Sequence, residues 1–292
     1  MDTQHLTAFI TVVDKGSFSL AAEQLGLTQP AISKRIALLE EEVTQPLFDR
    51  VSRSVKLTEA GIALLPRARK ILQTLDDTQR FMADLRGEVS GQLRIGTSHH
   101  IGLHRLPPVL KAFTQAHPDV HLQLHFIDSE QAIHAIQHGE FDLALITLPE
   151  TILKDEITSI QHRVLWEDPM CFVANQGHPL NKRKRIKLAD LANYPAILPD
   201  TNTYTTQLIQ QLFDNEKQSL NISMSTNHLD AIKMMISVGL GWSVLPETLI
   251  TNSLFRLPVS KIRLNRQLGC IYHRERTLSN AGRAILHLLR QH

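Results

Sequence analysis

Residues Gly16–Arg53, GSFSLAAEQLGLTQPAISKRIALLEEEVTQPLFDRVSR, leave this chain little conformational choice. They read as two short helices joined at a sharp corner. Ser17 or Ser19 can cap the first, whose inward face is Ala21, Ala22 and Leu25, and Gly26 supplies the permissive backbone of a tight turn. Thr28 can cap the second, with Pro30 in its first turn, where a missing N–H costs nothing. Ile32, Ile36 and Leu39 recur at helical spacing on one side, while Gln29, Ser33, Lys34 and Arg35 lie toward the outward, N-terminal end. A helix with small polar and basic side chains at that end fits a DNA major groove. There Gln29 can bond an adenine edge and Arg35 a guanine edge or a phosphate. The pattern is a helix-turn-helix. Glu40 to Glu42 would repel phosphates and are expected beyond the groove, at the solvent-facing end of the helix.

The flanks fit this module. Leu6, Phe9, Ile10 and Val13 have the spacing of an amphipathic helix that would underlie it. Pro46 breaks the second helix, and Leu47 and Phe48 turn back toward the core. Asp49 to Leu57 reads as a short hairpin, a wing, with Arg50, Arg53 and Lys56 placed for phosphates or a minor groove. Thr58 can cap a long helix running to about Arg86. Its Gly61, Leu64, Ala68, Ile71, Leu75, Thr78, Met82 and Leu85 step by threes and fours, as at a two-helix seam. Packing on its own domain is the plainer alternative, and Pro66 should kink or weaken the first turns. A two-fold dimer through this helix would match a palindromic site.

At 292 residues the chain is long enough for two or three domains, and its net charge of +2 confines any nucleic-acid surface to a local patch. Residues 1–90 carry eleven Lys and Arg against twelve Asp and Glu, so placement rather than bulk charge supports a DNA contact. Cys171 and Cys270, far apart, suit a reducing cytoplasm and fall in apolar strand patterns expected to bury them. The start, MDTQHLTAFI, lacks the character of a signal peptide, and no apolar run approaches a membrane span.

GEVSG at Gly87–Gly91 is a natural hinge, after which strands and helices alternate. Strands are expected at 93–95, 120–127 and 141–147, with helices at 106–116 and 129–138 between them, a parallel βαβαβ unit. A second set follows: strands at 170–174, 196–198, 222–225 and 242–245, with helices at 206–213 and 229–238. A last strand at 268–272 and a helix from Ser279 would rejoin the first set. Two similar lobes joined by two crossings imply a clamshell with a cleft.

The pattern FxxVxxxGSFSxAAxxLxxTQPAxSxxIxxLExxxxxxLFxRxxRxxxLTxAG resembles the LysR-type transcriptional regulators, densely over residues 2–65 and in architecture along the whole chain. The resemblance implies an α/β chain with an all-α N-terminal winged helix-turn-helix, a long coiled-coil linker helix, and a two-lobed effector domain of the periplasmic-binding-protein kind with Rossmann-like sheets. The domains are then expected at 1–58 (DNA-binding), 59–90 (linker and hinge) and 91–292 (effector-binding). Lobe I would take about 91–163 and 267–292, and lobe II about 164–266. Ser17, Ser19, Thr28, Gln29, Pro30, Ser33, Lys34 and Arg35 would serve the groove, and Arg50 and Arg53 the wing. Where the family usually has Gly after the recognition helix this chain has Thr44, which implies a helix end built differently.

Ligands of open parallel sheets sit at the carboxyl ends of strands. That draws attention to Thr97, Ser98, His99 and His100 after the first strand and Thr147 after the third, with Asp200, Thr201 and Thr203 closing from the second lobe. Helix N-termini with hydroxyl donors suit a small polar anion; these groups capping their own helices is the plainer alternative. TSHH followed by LPPV is similar to the sulfur-assimilation branch of the family, which points to the same class of ligand. Eight of the fifteen histidines lie between His99 and His138, but His121/His125 and His134/His138 lack acidic or cysteine partners at a metal spacing, so no metal and no fixed cofactor is expected. The basic run Lys182–Lys187 reads as a solvated loop. The chain has no GxSxG, HExxH or phosphate-cradling glycine loop, and a non-enzymatic regulator is expected. Its partners would be double-stranded DNA, further copies of itself (one in a homodimer, three in a homotetramer) and RNA polymerase, with no membrane.

Overall fold

The computed structural model describes residues 1–49, 55–85, 87–260 and 262–291, and the chain divides into two compact units, Met1–Arg86 and Gly87–His292.

In the first unit, α1 (Thr3–Lys15) starts on Asp2, whose carboxylate accepts from the Gln4 N–H, and stops at Gly16 in the left-handed conformation, φ 61°. α2 (Phe18–Gln24) is capped by Ser17, whose Oγ accepts from the Leu20 N–H at 3.3 Å; Ser19 lies inside the helix and is no cap. Gly26, at φ 64°, makes the corner. α3 (Gln29–Val43) is capped by Thr28. Leu6, Phe9, Val12, Ala21, Ile32, Ile36 and Leu39 are all buried in one core. Leu47 and Phe48 close it, with the Phe48 ring 5.5 Å from Phe9 and 5.4 Å from Phe18. Phe48 pairs antiparallel with Leu57, and the Asp49 N–H donates to the Lys56 carbonyl at 2.8 Å, so the base of the expected hairpin is formed. Arg50 and Arg53 lie outside the described residues.

α4 (Glu59–Asp84) runs without a break through Pro66. Its start is held by Thr58, whose Oγ1 accepts from the Gly61 N–H. Ala68 is fully buried against the core and Leu64 partly so, but Ile71, Leu75, Met82 and Leu85 are exposed. The first half of the helix thus packs on its own domain, as the plainer reading has it, while the second half leaves its apolar positions in solvent.

The second unit is built on β1 (Gly91–Thr97), α5 (His99–His104), α6 (Leu106–Ala116), β2 (Val120–Phe126), α7 (Ser129–Gln137), β3 (Leu143–Thr147) and α8 (Glu150–Leu153). The long β4 (Ile160–Asn175) leads to α9 (Leu188–Leu191), β5 (Ala196–Leu198), α10 (Tyr204–Asn215), β6 (Ile222–Ser225), α11 (Leu229–Ser237), β7 (Trp242–Pro246) and β8 (Leu254–Arg256). β9 (Leu264–His273) and α12 (Asn280–Leu289, capped by Ser279) return the chain to the first lobe. The strands follow the order β2-β1-β3-β9-β4-β7-β5-β6, with β8 on β4. β1 is parallel to β2 and β3, and β5 to β6 and β7, which gives each lobe its parallel sheet.

The two lobes share the antiparallel pair β4 and β9, in register from Ile160↔His273 to Met170↔Leu264 with a bulge between Val164 and Trp166. The expected strand at 170–174 is only the second half of β4. Its first half, IQHRVLWEDP, carries charges and Pro169 in no clean alternation, and its strand form comes from pairing with β9. Each lobe packs apolar side chains on both faces of its sheet. In the first they gather around Leu93, Ile95, Phe113 and Ile285 on one face and Ile136, Ala144 and Ile146 on the other. In the second they gather around Ala196, Phe213 and Trp242 on one face and Val173, Ile197 and Ile232 on the other. Cys171 and Cys270 are both buried free thiols. Among the described residues no helix is long and apolar enough to cross a membrane.

Candidate functional site

Two surfaces concentrate the chemistry. On α3, Gln29, Pro30, Ser33 and Lys34 are exposed, as are Thr28 and Ser19 beside them, while Ser17 is half-buried by its capping bond. Arg35 is half-buried because its Nη2 donates to Oε1 of Gln4 at 2.9 Å. The α1 side chain thus orients the α3 guanidinium, a link across 31 residues with no local sequence signal. Glu40 departs from expectation. It turns inward, its Oε1 accepting from the Leu47 N–H at 2.7 Å and the Phe48 N–H at 3.4 Å, because those amides follow the helix end without other partners. Glu42 pairs with the N-terminal amine and His5, and Glu41 is exposed. The helix end also differs from expectation: Thr44 holds the same left-handed geometry a glycine would, φ 55° and ψ 27°.

The second surface is the cleft between the lobes. A cavity of about 60 Å³ is lined by Ser98, His99, His100 and Thr147 from the first lobe and Thr203 from the second, five of the eight residues picked from the sequence. Thr97 is fully buried under the sheet end and does not reach it, since alternate strand residues point to opposite faces. Asp200 and Thr201 are exposed in the turn before α10 and lie outside it. Asp200 instead binds Asn227, which accepts from the Asp200 N–H at 2.9 Å and donates to its carboxylate at 3.3 Å.

The residues that sequence reasoning missed come from far apart along the chain. Arg266 on β9 and Asp168 on β4 are register partners at the lobe crossing, and both are buried. Nε and Nη2 of Arg266 donate to Oδ2 of Asp168 at 3.1 and 2.5 Å, and Nη1 to the Thr205 hydroxyl at 2.9 Å. His100 Nε2 stands 3.6 Å from Asp168 Oδ1, too long for a hydrogen bond, so neither His100 ring nitrogen has a partner. Burial pushes the His100 imidazole below its usual value, the nearby Asp168 offsetting this only in part. Burial alone would raise the Asp168 carboxyl, but His100 and the Arg266 charge outweigh it and hold the group below the ordinary aspartate value. The two lobes also touch through side chains: Tyr204 N–H to Glu130 Oε1 at 3.1 Å, Asn227 Nδ2 to Asp128 Oδ2 at 2.9 Å, and His104 Nε2 to Asp230 Oδ2 at 3.1 Å. The rings of His99 and His228 meet edge to face at 4.2 Å; burial, then the His228 charge, lowers the His99 imidazole.

Among the described residues no three His, Cys, Asp or Glu side chains are grouped to hold a metal. His134 and His138 stack at 3.9 Å, and His138 Nδ1 lies 2.8 Å from the His134 carbonyl, so both rings are turned to each other and the helix.

Residues 3–62 match the model for the bacterial regulatory helix-turn-helix protein, lysR family, and residues 86–292 the model for the LysR substrate binding domain. This chain belongs to the LysR family. It is a DNA-binding transcriptional regulator with an effector-binding domain, and its relatives are regulators rather than enzymes. The transcriptional activator CmpR of Synechocystis sp. is 30% identical to this LysR-type regulator over 97% of its chain and 93% of CmpR. Full-length CbnR, crystallised with its target DNA, superposes with a TM-score of 0.65 at 21% identity, over 100% of this chain and 99% of CbnR. The regulatory domain of Synechocystis CcmR in complex with 2-PG matches 69% of this chain and 97% of its own at 24% identity and TM-score 0.61.

Proposed function

We propose that residues 1–58 bind an interrupted inverted repeat in double-stranded DNA, that residues 59–90 pair two copies, and that residues 91–292 sense a small metabolite bearing an anionic group. The apolar stripe Ile71, Leu75, Met82 and Leu85 supports the pairing, since it is exposed among the described residues. Further contacts between effector domains would give a homotetramer, with RNA polymerase meeting the assembly on cytoplasmic DNA. CbnR, which was crystallised on its target DNA, supports the α3 assignment by fold.

The observation that carries the ligand half is the buried Arg266, facing a small cavity beside an unpartnered His100 and hydroxyls from both lobes. A ligand that bonds both walls favours the closed cleft only by its differential affinity for that state, and lobe closure then alters how the paired DNA arms are held. Lobe I about 91–163 and 267–292 and lobe II about 164–266 would be the moving bodies.

Two measurements test this. Gln29→Ala and Arg35→Ala should each weaken binding to the chain's own promoter fragment about tenfold, with affinity falling steeply in salt; unchanged retention by both variants counts against α3 as the reader. Small anions that raise the melting temperature of the full chain should lose that effect in Thr147→Ala and Ser98→Ala; hits that survive both substitutions place the ligand elsewhere.

A further inference from the structure

The cleft carries an imbalance of charge. Among the described residues Arg266 is the permanent cation of its lining, and it is already matched by Asp168 at 2.5 Å. Asp128 and Glu130 line the same cavity, and neither has a cation within ion-pair distance among the described residues. Each spends one oxygen on a neutral donor from the opposite lobe, Asp128 on the Asn227 amide and Glu130 on the Tyr204 N–H. His99 and His100, the remaining titratable groups of the wall, are both shifted by burial toward the neutral imidazole. His100, only 6% exposed, has no hydrogen-bond partner at either ring nitrogen, which marks a polar group awaiting one.

A dianion would set its second charge against two uncompensated carboxylates in a partly desolvated site. A bare cation would leave His100 and the spare N–H groups of Arg266 unmet, and no three-ligand metal group exists among the described residues. We infer that the cleft's effector is a zwitterion of the amino-acid type. Its anionic group meets Arg266, His100 and the Ser98 and Thr205 hydroxyls, and its ammonium lies toward Asp128 and Glu130. The inference rests on the cleft being the effector site.

Size agrees. A cavity of about 60 Å³ holds roughly four water-sized groups at ~15 Å³ each, the scale of a carboxylate, an α-carbon and an ammonium. An adjoining space of about 440 Å³ shares Ser129, Glu130 and Tyr204 with it. Asn202, Gln207 and Gln211 line that space together with Glu150, Ile133 and Leu208, so it offers both polar and apolar walls to a side chain.

The experiment is calorimetric titration of the full-length protein with the twenty proteinogenic amino acids. The same titration is run with the des-amino analogues of the polar ones (3-hydroxypropionate, succinamate, glutaramate) and with sulfate and phosphate. The expected result is at least one amino acid that binds tenfold or more tightly than its des-amino analogue, with that preference shrinking severalfold in Glu130→Gln and Asp128→Asn. A merely structural role for the two carboxylates leaves the wild-type preference for the amine absent. Tighter binding of a des-amino acid or an inorganic anion, lost in Thr147→Ala, overturns the zwitterion and leaves the cleft assignment standing. Binding by no member of the three panels overturns both.

Discussion

Thr44 is a β-branched residue at φ 55°, a region that costs a non-glycine residue roughly 1–2 kcal/mol. Its hydroxyl donates to the Val43 carbonyl at 2.7 Å, which offsets part of that. Thr44→Gly should therefore raise the stability of the DNA-binding unit by about 0.5–1 kcal/mol in urea denaturation of the full chain, the extra unfolded-state entropy of glycine trimming the gain. A loss of stability there would show that the side chain makes a contact worth more than the strain. Arg266 and Asp168 are a different case. With both side chains buried, Asp168→Asn leaves a guanidinium without its counter-charge and should cost about 3–5 kcal/mol. The same pair sets an acid limit. Because the folded carboxyl titrates below its ordinary value, its contribution is complete above the unfolded aspartate pKa and is lost as pH falls through the folded one. His100 acts earlier: the unfolded chain takes up a proton below about pH 6.5 that the buried ring refuses, so stability declines from there downward. In His100→Gln that decline, followed by urea midpoint against pH, should flatten.

At the scale of elements, α4 carries two environments on one repeat. Its first turns serve the local core through Ala68 and Leu64, and its later turns leave Ile71, Leu75, Met82 and Leu85 in solvent. Leu75→Arg should dissociate the assembly to a monomer by light scattering while the helical content of the chain holds, and a dimer that persists would place the seam elsewhere. Periodicity showed the stripe but could not divide it, because a heptad face looks the same whether its partner is the same chain or another copy. α3 was the most legible element: cap, proline and apolar spacing agree with one another within fifteen residues. β4 was the least, because half of it is a strand only through its register with β9, about a hundred residues on. Glu40 lay in between. Its place on the helix was plain, but the free amides of Leu47 and Phe48 that draw it inward exist only once the chain turns back.

For the molecule as a whole, the effector unit is held as two lobes by one antiparallel ribbon and a few bonds across the cleft. Asn227 supplies one such bond, donating to Asp128 at 2.9 Å while its carbonyl takes the Asp200 N–H. Asn227→Leu removes three hydrogen bonds, two to Asp200 and one to Asp128. It should speed amide exchange at the start of α10 and α11 while lowering the global unfolding free energy by no more than about 3 kcal/mol, at about 1 kcal/mol each. Uniform protection in the variant would mean the lobes are fixed by the ribbon alone. By itself the sequence determined what short-range forces decide: the helix-turn-helix, the alternation of strand and helix, and the strand-end hydroxyls at Ser98 and Thr147. Caps, turns and apolar periods act over a few residues, so they can be read in order. Only the tertiary structure decided that Arg266 and Asp168 meet under the cleft, that Glu130 reaches the N-terminus of α10, and that Thr97 faces away. Those outcomes depend on strand register and lobe closure, which bring together residues that share no local pattern.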